Sequence, residues 1–102
     1  MLTLPIKRQW FEMIKDRVKL EEYRDITPYY TSRFSNIFEM FPYSKIPTGL
    51  DKQRILLRNG YSSTSPTIEI VCTLDVGMGR EEWGAEPGKI YYILKISQVR
   101  SI

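Results

Sequence analysis

The sequence predicts an α+β protein in which a small mixed β-barrel of about five or six strands packs against two helices. Short stretches of alternating apolar and polar residues lie before and after two segments with helical spacing. Such short strands would leave open sheet edges, and closure into a barrel removes them. At 102 residues, the chain can bury one core without disulfides, so we expect a single domain over residues 1–102.

The first half of the chain contains a short strand and both predicted helices. Residues 2–6 alternate, and Pro5 suits a strand end or an edge. Residues 7–16 have helical spacing with Trp10 on the apolar stripe, so we predict a first helix with Trp10 in the core. Thr27 and Pro28 are typical of an N-cap and a first helical position. The second helix is predicted to run to Pro42 with a buried stripe of Tyr30, Phe34, Ile37, Phe38 and Phe41.

Between the helices, residues 18–24 alternate as a strand would. The face that we expect to turn inward carries two apolar residues and then an acid–base pair, and the opposite face carries Lys19, Glu21 and Tyr23. A carboxylate and a guanidinium two residues apart can brace each other, or present an acceptor and donors to a ligand. The alternative is a surface strand with solvated charges. The inward face comprises Val18, Leu20, Glu22 and Arg24.

The second half is predicted to be strand and loop. Residues 43–52 form a loop, and residues 53–59 form a strand with a possible basic face that ends at an Asn59–Gly60 turn. Beyond Pro66, the clearest strand alternates to Val76 and places Cys72 inward as a small buried hydrophobe.

The last part of the chain is predicted to return to the centre of the sheet. Residues 77–88 are rich in glycine and form a connecting loop, with one helical turn at residues 80–83. Residues 89–97 alternate with apolar side chains on both faces, which is typical of a central strand.

The formal net charge of +3 is unevenly distributed along the chain. Residues 1–60 have eleven Lys and Arg against seven Asp and Glu, whereas residues 61–102 have four against five. This imbalance is compatible with a phosphate-bearing partner. It is much weaker than the basic stripe of a duplex-binding protein.

Composition also restricts the chemistry. Cys72 is the only cysteine and there is no histidine, so the chain lacks an internal disulfide, the usual zinc sites and the commonest general base. No segment resembles a signal peptide or a membrane span. We predict a cytoplasmic protein with no membrane, metal or cofactor, whose oligomeric state stays open.

Several motifs in fixed order resemble those of the ASCH domain, the activating-signal-cointegrator homology branch of the PUA-like β-barrels. The likeness covers nearly the whole chain and is closest to the small single-domain forms of bacteria and phages. The family motif G-x-K-x-x-E-x-R is matched by Lys19, Glu22 and Arg24, while Arg17 stands at the glycine position. Glycine would permit positive φ there, so Arg17 must adopt it at a cost or turn differently. The remaining matches are LTLPIK, RNGY, PTIEI and EWGAEPGK.

The resemblance implies a PUA-like cleft between barrel and helices, lined by Lys19, Glu22 and Arg24, and an association with RNA or modified nucleosides. Because a regular strand would place Lys19 opposite Glu22, convergence requires Lys19 to lie in a turn or a bulge to intervene. The family includes an amidohydrolase branch that removes the acyl group from acetylated cytidine with a lysine, a threonine three residues later and a distant glutamate. Here Glu22 replaces the threonine, and Glu82 or its neighbour Glu81 is the candidate for the distant acid.

Two classes of function follow, and we favour the first. In a binding module for single-stranded RNA or a nucleoside-like small molecule, Lys19, Arg24 and Arg58 would meet phosphate. The rings of Tyr23, Tyr61 or Trp83 would stack on bases.

In the second class, a small nucleoside amidohydrolase or ribonuclease, Lys19 would be the base and Glu22 its acidic partner. Glu22 should, however, hold Lys19 protonated and raise its pKa, so we expect little turnover of acetylated cytidine, with some gain in a Glu22→Thr variant. An accessory protein that acts through protein contacts is a third possibility.

Overall fold

A computed structural model describes every residue from Met1 to Ile102. It confirms the α+β class, with five strands in one mixed sheet and two helices. None of its helices has the length and apolar character needed to cross a membrane. The elements are β1 Thr3–Ile6, α1 Arg8–Lys15, β2 Glu21–Asp25, α2 Pro28–Ser35, β3 Gln53–Asn59, β4 Thr67–Met78, a 3-10 turn at Glu81–Trp83 and β5 Ile90–Ser101.

The sheet has the order β1-β3-β4-β5-β2. The β1–β3 pair is parallel and the other three pairs are antiparallel. This ladder ends at two edges, β1 and β2, so the structure does not confirm the predicted barrel. The two edges are nevertheless linked by a side chain, since Nη2 of Arg24 in β2 donates to the carbonyl oxygen of Pro5 in β1 at 2.9 Å.

The main core lies between one face of the sheet and the two helices. It includes Phe11 and Ile14 from α1 and Phe34 from α2, packed against alternate residues of β3, β4 and β5. The predicted inward residues of β3 and β4 are buried, except for Val76 near the end of β4, which is half-buried, so the alternation is confirmed as far as Leu74. Cys72 is fully buried among them as predicted, and burial raises the pKa of its thiol to about 12.

Helix α2 begins as predicted but ends early. The Oγ1 atom of Thr27 accepts a hydrogen bond from the backbone N–H of Tyr30 at 3.3 Å, which satisfies one free donor of the first turn. The helix ends at Ser35, and the following chain turns back on itself at an isolated bridge between Met40 and Pro47. Phe41 is therefore 55% exposed, and its predicted place in the buried stripe is wrong.

The end of α1 determines where β2 begins. The N–H of Arg17 donates to the carbonyl of Ile14, and that of Val18 donates to the carbonyl of Met13, the paired bonds of a Schellman motif. Arg17 has a φ of 60°, so it adopts the left-handed conformation that the family glycine would allow. The turn delays β2 to Glu21 and leaves Val18 and Leu20 exposed, so their predicted inward orientation is wrong.

Strand β5 pairs with β4 on one side and with β2 on the other, which confirms that it is central. It extends beyond the predicted end at Ser97 and follows β4 across a register shift at Val71/Cys72 to reach Ser101. The guanidinium of Arg17 donates to the carbonyl of Val99 in this extension at 2.9 Å. The turn after α1 is thereby tied to the far end of β5.

The left-handed conformation of Arg17 gives a stability prediction. We expect Arg17→Gly to be more stable than Arg17→Ala by about 1 kcal/mol, because only glycine adopts positive φ without a steric cost. Both variants lose the hydrogen bond to Val99, so their difference isolates the backbone conformation. Urea unfolding followed by far-UV circular dichroism measures it, and equal midpoints would contradict strain at this position.

Candidate ligand-binding cleft

A cleft of about 480 Å³ lies where the two edge strands are joined by Arg24. Its size falls in the range of small-molecule sites in proteins. One wall comes from the end of β1 and the start of α1, and another from β2. The turn after β3 and the loop around Trp83 complete it.

Glu22 is the centre of a buried ionic network on the floor of the cleft. Its Oε1 lies 2.8 Å from Nζ of Lys19, and its Oε2 accepts from Nη1 of Arg24. The side chains of Lys19, Glu22 and Arg24 are only 1%, 5% and 12% exposed. One carboxylate thus neutralises one of two buried cations and leaves a local excess of one positive charge.

Lys19 reaches this network because it precedes the strand. It lies in the turn between α1 and β2, as the predicted convergence with Glu22 required. Its Nζ also donates to the carbonyl oxygen of Trp83 at 2.7 Å, and it lies 4.7 Å from the ring centroid of Trp10 and 5.1 Å from that of Tyr23. The ammonium therefore holds the loop around Trp83 against β2 and α1.

Burial lowers the pKa of the Lys19 ammonium below its ordinary value. The Glu22 carboxylate opposes this shift, and the nearby Arg24 adds to it. Glu22 thus raises this pKa as predicted, but desolvation is the larger effect, so the net shift is downward.

Arg24 has donors that the protein does not use. Its Nη1 donates to Glu22 and to the backbone carbonyl of Tyr23, and one Nη2 hydrogen goes to Pro5. The Nε–H and the second Nη2 hydrogen have no protein acceptor, and Arg24 lines the cleft. The floor of the cleft therefore offers hydrogen-bond donors from a permanently charged group.

Aromatic side chains form much of the remaining surface. Tyr61 is 89% exposed at the mouth of the cleft. The Oη of Tyr91 accepts from the N–H of Glu86 at 3.0 Å, which ties this ring to the loop after Trp83. The aromatic residues that line the cleft are Trp10, Tyr23, Tyr30, Tyr61, Trp83 and Tyr91.

The loop around Trp83 packs closely enough to require glycine. Gly84 has a φ of 99°, and a Cβ at that position would lie 2.8 Å from Cζ2 of Trp10. The close approach brings the two tryptophans to neighbouring parts of the cleft wall. Trp10 is only half-buried, so its predicted place in the core is corrected to the cleft.

Five of the seven predicted site residues line the cleft, and two do not. Arg58 lies on β3 between Pro5 and Thr67 of the neighbouring strands, where its Nε is buried without a partner. Glu82 is exposed on the 3-10 turn, 3.5 Å from Arg80, and is not brought to Lys19. The residues that line the cleft are Lys19, Glu22, Arg24, Tyr61 and Trp83.

The basic rim of the cleft, formed by Lys7 and Arg8, and part of its wall were not predicted from the sequence. Lys7 and Arg8 follow β1 directly and line the cleft, as does Asn59 at the end of β3. These residues meet because β1 and β3 are parallel, so the residues that follow both strands lie at the same side of the sheet. Predicting their place in the cleft would have required knowing that β1 pairs with β3, and the alternation of residues does not show which strands pair.

The side chains give no candidate metal centre, since no three His, Cys, Asp or Glu residues cluster in a way that could hold an ion. No protein-family model, curated protein or solved structure matches the chain, so its membership of the ASCH family stays a prediction from its motifs.

Burial of the Lys19–Glu22–Arg24 network predicts a large loss of stability when a partner is removed. Arg24→Ala and Glu22→Ala should each lower the free energy of unfolding by about 3–5 kcal/mol. Glu22→Ala leaves two buried cations without a carboxylate, and Arg24→Ala leaves one buried oxygen of Glu22 without its donor and breaks the link to Pro5. The matched control is Lys95→Ala, which breaks an exposed pair with Asp75 and should cost less than about 1 kcal/mol. Urea melts measure all three, and equal midpoints for Arg24→Ala and Lys95→Ala would contradict a desolvated network.

Proposed function

We propose that the protein is a binding module for a nucleotide-like ligand, either free or within single-stranded RNA. The observation that carries this proposal is the composition of the cleft, which combines aromatic walls with a positively charged floor and rim. Planar bases stack on such side chains, and phosphate groups pair with arginine and lysine. The resemblance to ASCH domains supports the same class of ligand.

The polar groups of the cleft suit a ligand that has hydrogen-bond acceptors. Arg24 has two N–H groups without a protein acceptor, and Lys7 and Arg8 add further donors at the rim. The only carboxylate in the cleft, Glu22, already has both oxygens paired with cations. A cationic ligand would therefore find no free counter-charge, whereas an anionic ligand would find several donors.

Binding is better supported than hydrolysis. The mechanism of the amidohydrolase branch uses a threonine, and the cleft lining contains no serine, threonine or cysteine to supply an aliphatic hydroxyl or a thiol. Burial lowers the pKa of Lys19 toward a usable range, which favours a base. However, its Nζ already donates to Trp83 and Glu22, so this ammonium acts as a structural tie.

Intrinsic fluorescence provides a direct binding test, because both tryptophans of the chain, Trp10 and Trp83, line the cleft. We expect nucleotides or short single-stranded RNA to change the emission saturably at low salt. The affinity should fall as salt is added, since charged contacts to phosphate are screened and counterions compete for it.

The Arg24→Lys variant keeps the charge but loses the planar fork, so it should weaken binding while the control Arg54→Lys, on an exposed position of β3, should not. If neither nucleotides nor RNA bind at low salt, the binding-module proposal is wrong.

A catalytic assay separates the two classes of function. We expect no release of acetate from acetylated cytidine above the background of Lys19→Ala, because Glu22 occupies the place of the threonine nucleophile. Glu22→Thr should lose stability before it gains activity, since it leaves Lys19 and Arg24 buried without their shared carboxylate. Chromatographic detection of turnover by the natural protein that Lys19→Ala abolishes would make the enzyme the correct class.

A further inference from the structure

We propose that the cleft binds a single nucleotide through its terminal phosphate, which is held by Lys7 and Arg8 at the rim, and not an internal stretch of RNA. This inference rests on the proposed function and specifies its ligand. It follows from two observations: the cleft contains cations without carboxylate partners, and the surface beyond Trp83 does not.

The cleft contains an excess of cations with no acid left to neutralise them. Its lining includes four Lys and Arg residues, namely Lys7, Arg8, Lys19 and Arg24, against the single carboxylate of Glu22. This gives a formal charge of +3, equal to the net charge of the whole chain. The positive charge of the protein is thus balanced elsewhere and concentrated here.

The rim residues Lys7 and Arg8 are the cations of the cleft that form no ion pair. Lys7 and Arg8 are both exposed, and neither has a carboxylate within 4.0 Å. They are adjacent in sequence and follow β1 directly, the strand whose Pro5 carbonyl binds Arg24. Two cations at the rim and a guanidinium on the floor can therefore meet an anion from two sides.

On the side of Trp83, the surface beyond the cleft does not continue this positive charge. Trp83 also borders a second depression, which is lined by three cations, Lys52, Arg80 and Lys95, and one carboxylate, Glu21. Arg80 and Lys95 are also paired with carboxylates outside this lining, Glu82 at 3.5 Å and Asp75 at 3.1 Å, so the three cations are matched by three acids. A site for a nucleic-acid strand has a basic groove that follows the backbone over several nucleotides. Here the unbalanced charge ends at the wall formed by Trp83.

The chemistry of the phosphate favours a terminal group. A terminal phosphate monoester carries about −1.5 to −2 charge at pH 7 and three acceptor oxygens, with a second pKa near 6. An internal phosphodiester carries a single negative charge. The monoester therefore matches the +3 formal charge of the cleft better, and its advantage should decline as the pH falls below about 6.

The test compares nucleoside 5′-monophosphates, the corresponding nucleosides, inorganic phosphate and a five-nucleotide RNA without terminal phosphate. Calorimetric titration of the full chain at low salt measures each affinity. At pH 7.5 we expect a monophosphate to bind at least about tenfold more tightly than its nucleoside or the RNA, and more tightly than inorganic phosphate. The advantage over the nucleoside should shrink at pH 5.5.

The variant pair Lys7→Ala/Arg8→Ala should remove most of this advantage, because it should weaken monophosphate binding much more than nucleoside binding. The control pair Lys45→Ala/Arg100→Ala removes the same charge from exposed positions outside the cleft and should retain it.

Nucleosides that bind as tightly as monophosphates, or RNA that binds more tightly than either, would overturn this inference and leave the binding module in place. Loss of the advantage in the control pair as well would assign it to net charge and overturn the rim site. If none of the probes binds, the proposed function itself fails.

Discussion

The structure depends on one shared carboxylate. Glu22 lies on an edge strand, and its two oxygens pair with Lys19 and Arg24. Through Lys19 it fixes the loop around Trp83, and through Arg24 it fixes the opposite edge of the sheet at Pro5. Desolvating a charge costs several kcal/mol unless a partner compensates for it, so these segments have one arrangement in which the buried charges are satisfied. The network replaces the backbone ladder that a closed barrel would have at this position.

The same network determines which chemical groups face the cleft. Because the acceptor capacity of Glu22 is used within the protein, the groups that face the cleft are mainly donors, cations and aromatic rings. If each cation of the cleft had its own exposed acid, as Lys95 has Asp75, the surface of the cleft would be nearly neutral. If the cleft binds an anion, as we propose, the same ion pairs that stabilise the fold also favour that ligand, because Lys19 and Arg24 offset the negative charge of Glu22.

The sequence was sufficient where local periodicity decides the structure. Strand β3 has the predicted bounds, and the alternation of β4 placed Cys72 correctly, because each strand has one face against the core. It was insufficient where distant segments meet. Lys7 and Trp10 belong to the cleft only because β1 pairs with β3 and because Gly84 lets a distant loop approach the first helix. Barrel closure was likewise inferred from short strands, but the two edge strands are joined by a side-chain hydrogen bond from Arg24 to Pro5 and not by a backbone ladder.

The turn after α1 shows how a local backbone choice sets the electrostatics of the cleft. If β2 began at Val18, regular alternation would place Lys19 on the face opposite Glu22, and the ion pair could not form. The left-handed conformation of Arg17 ends the helix and keeps Lys19 outside the strand, so its side chain can reach the carboxylate. Glycine would adopt this conformation with less strain, but it has no side chain to donate to Val99. Arginine at this position therefore has a higher conformational cost than glycine, but its side chain forms a link to β5. That link holds the turn on which the buried network depends.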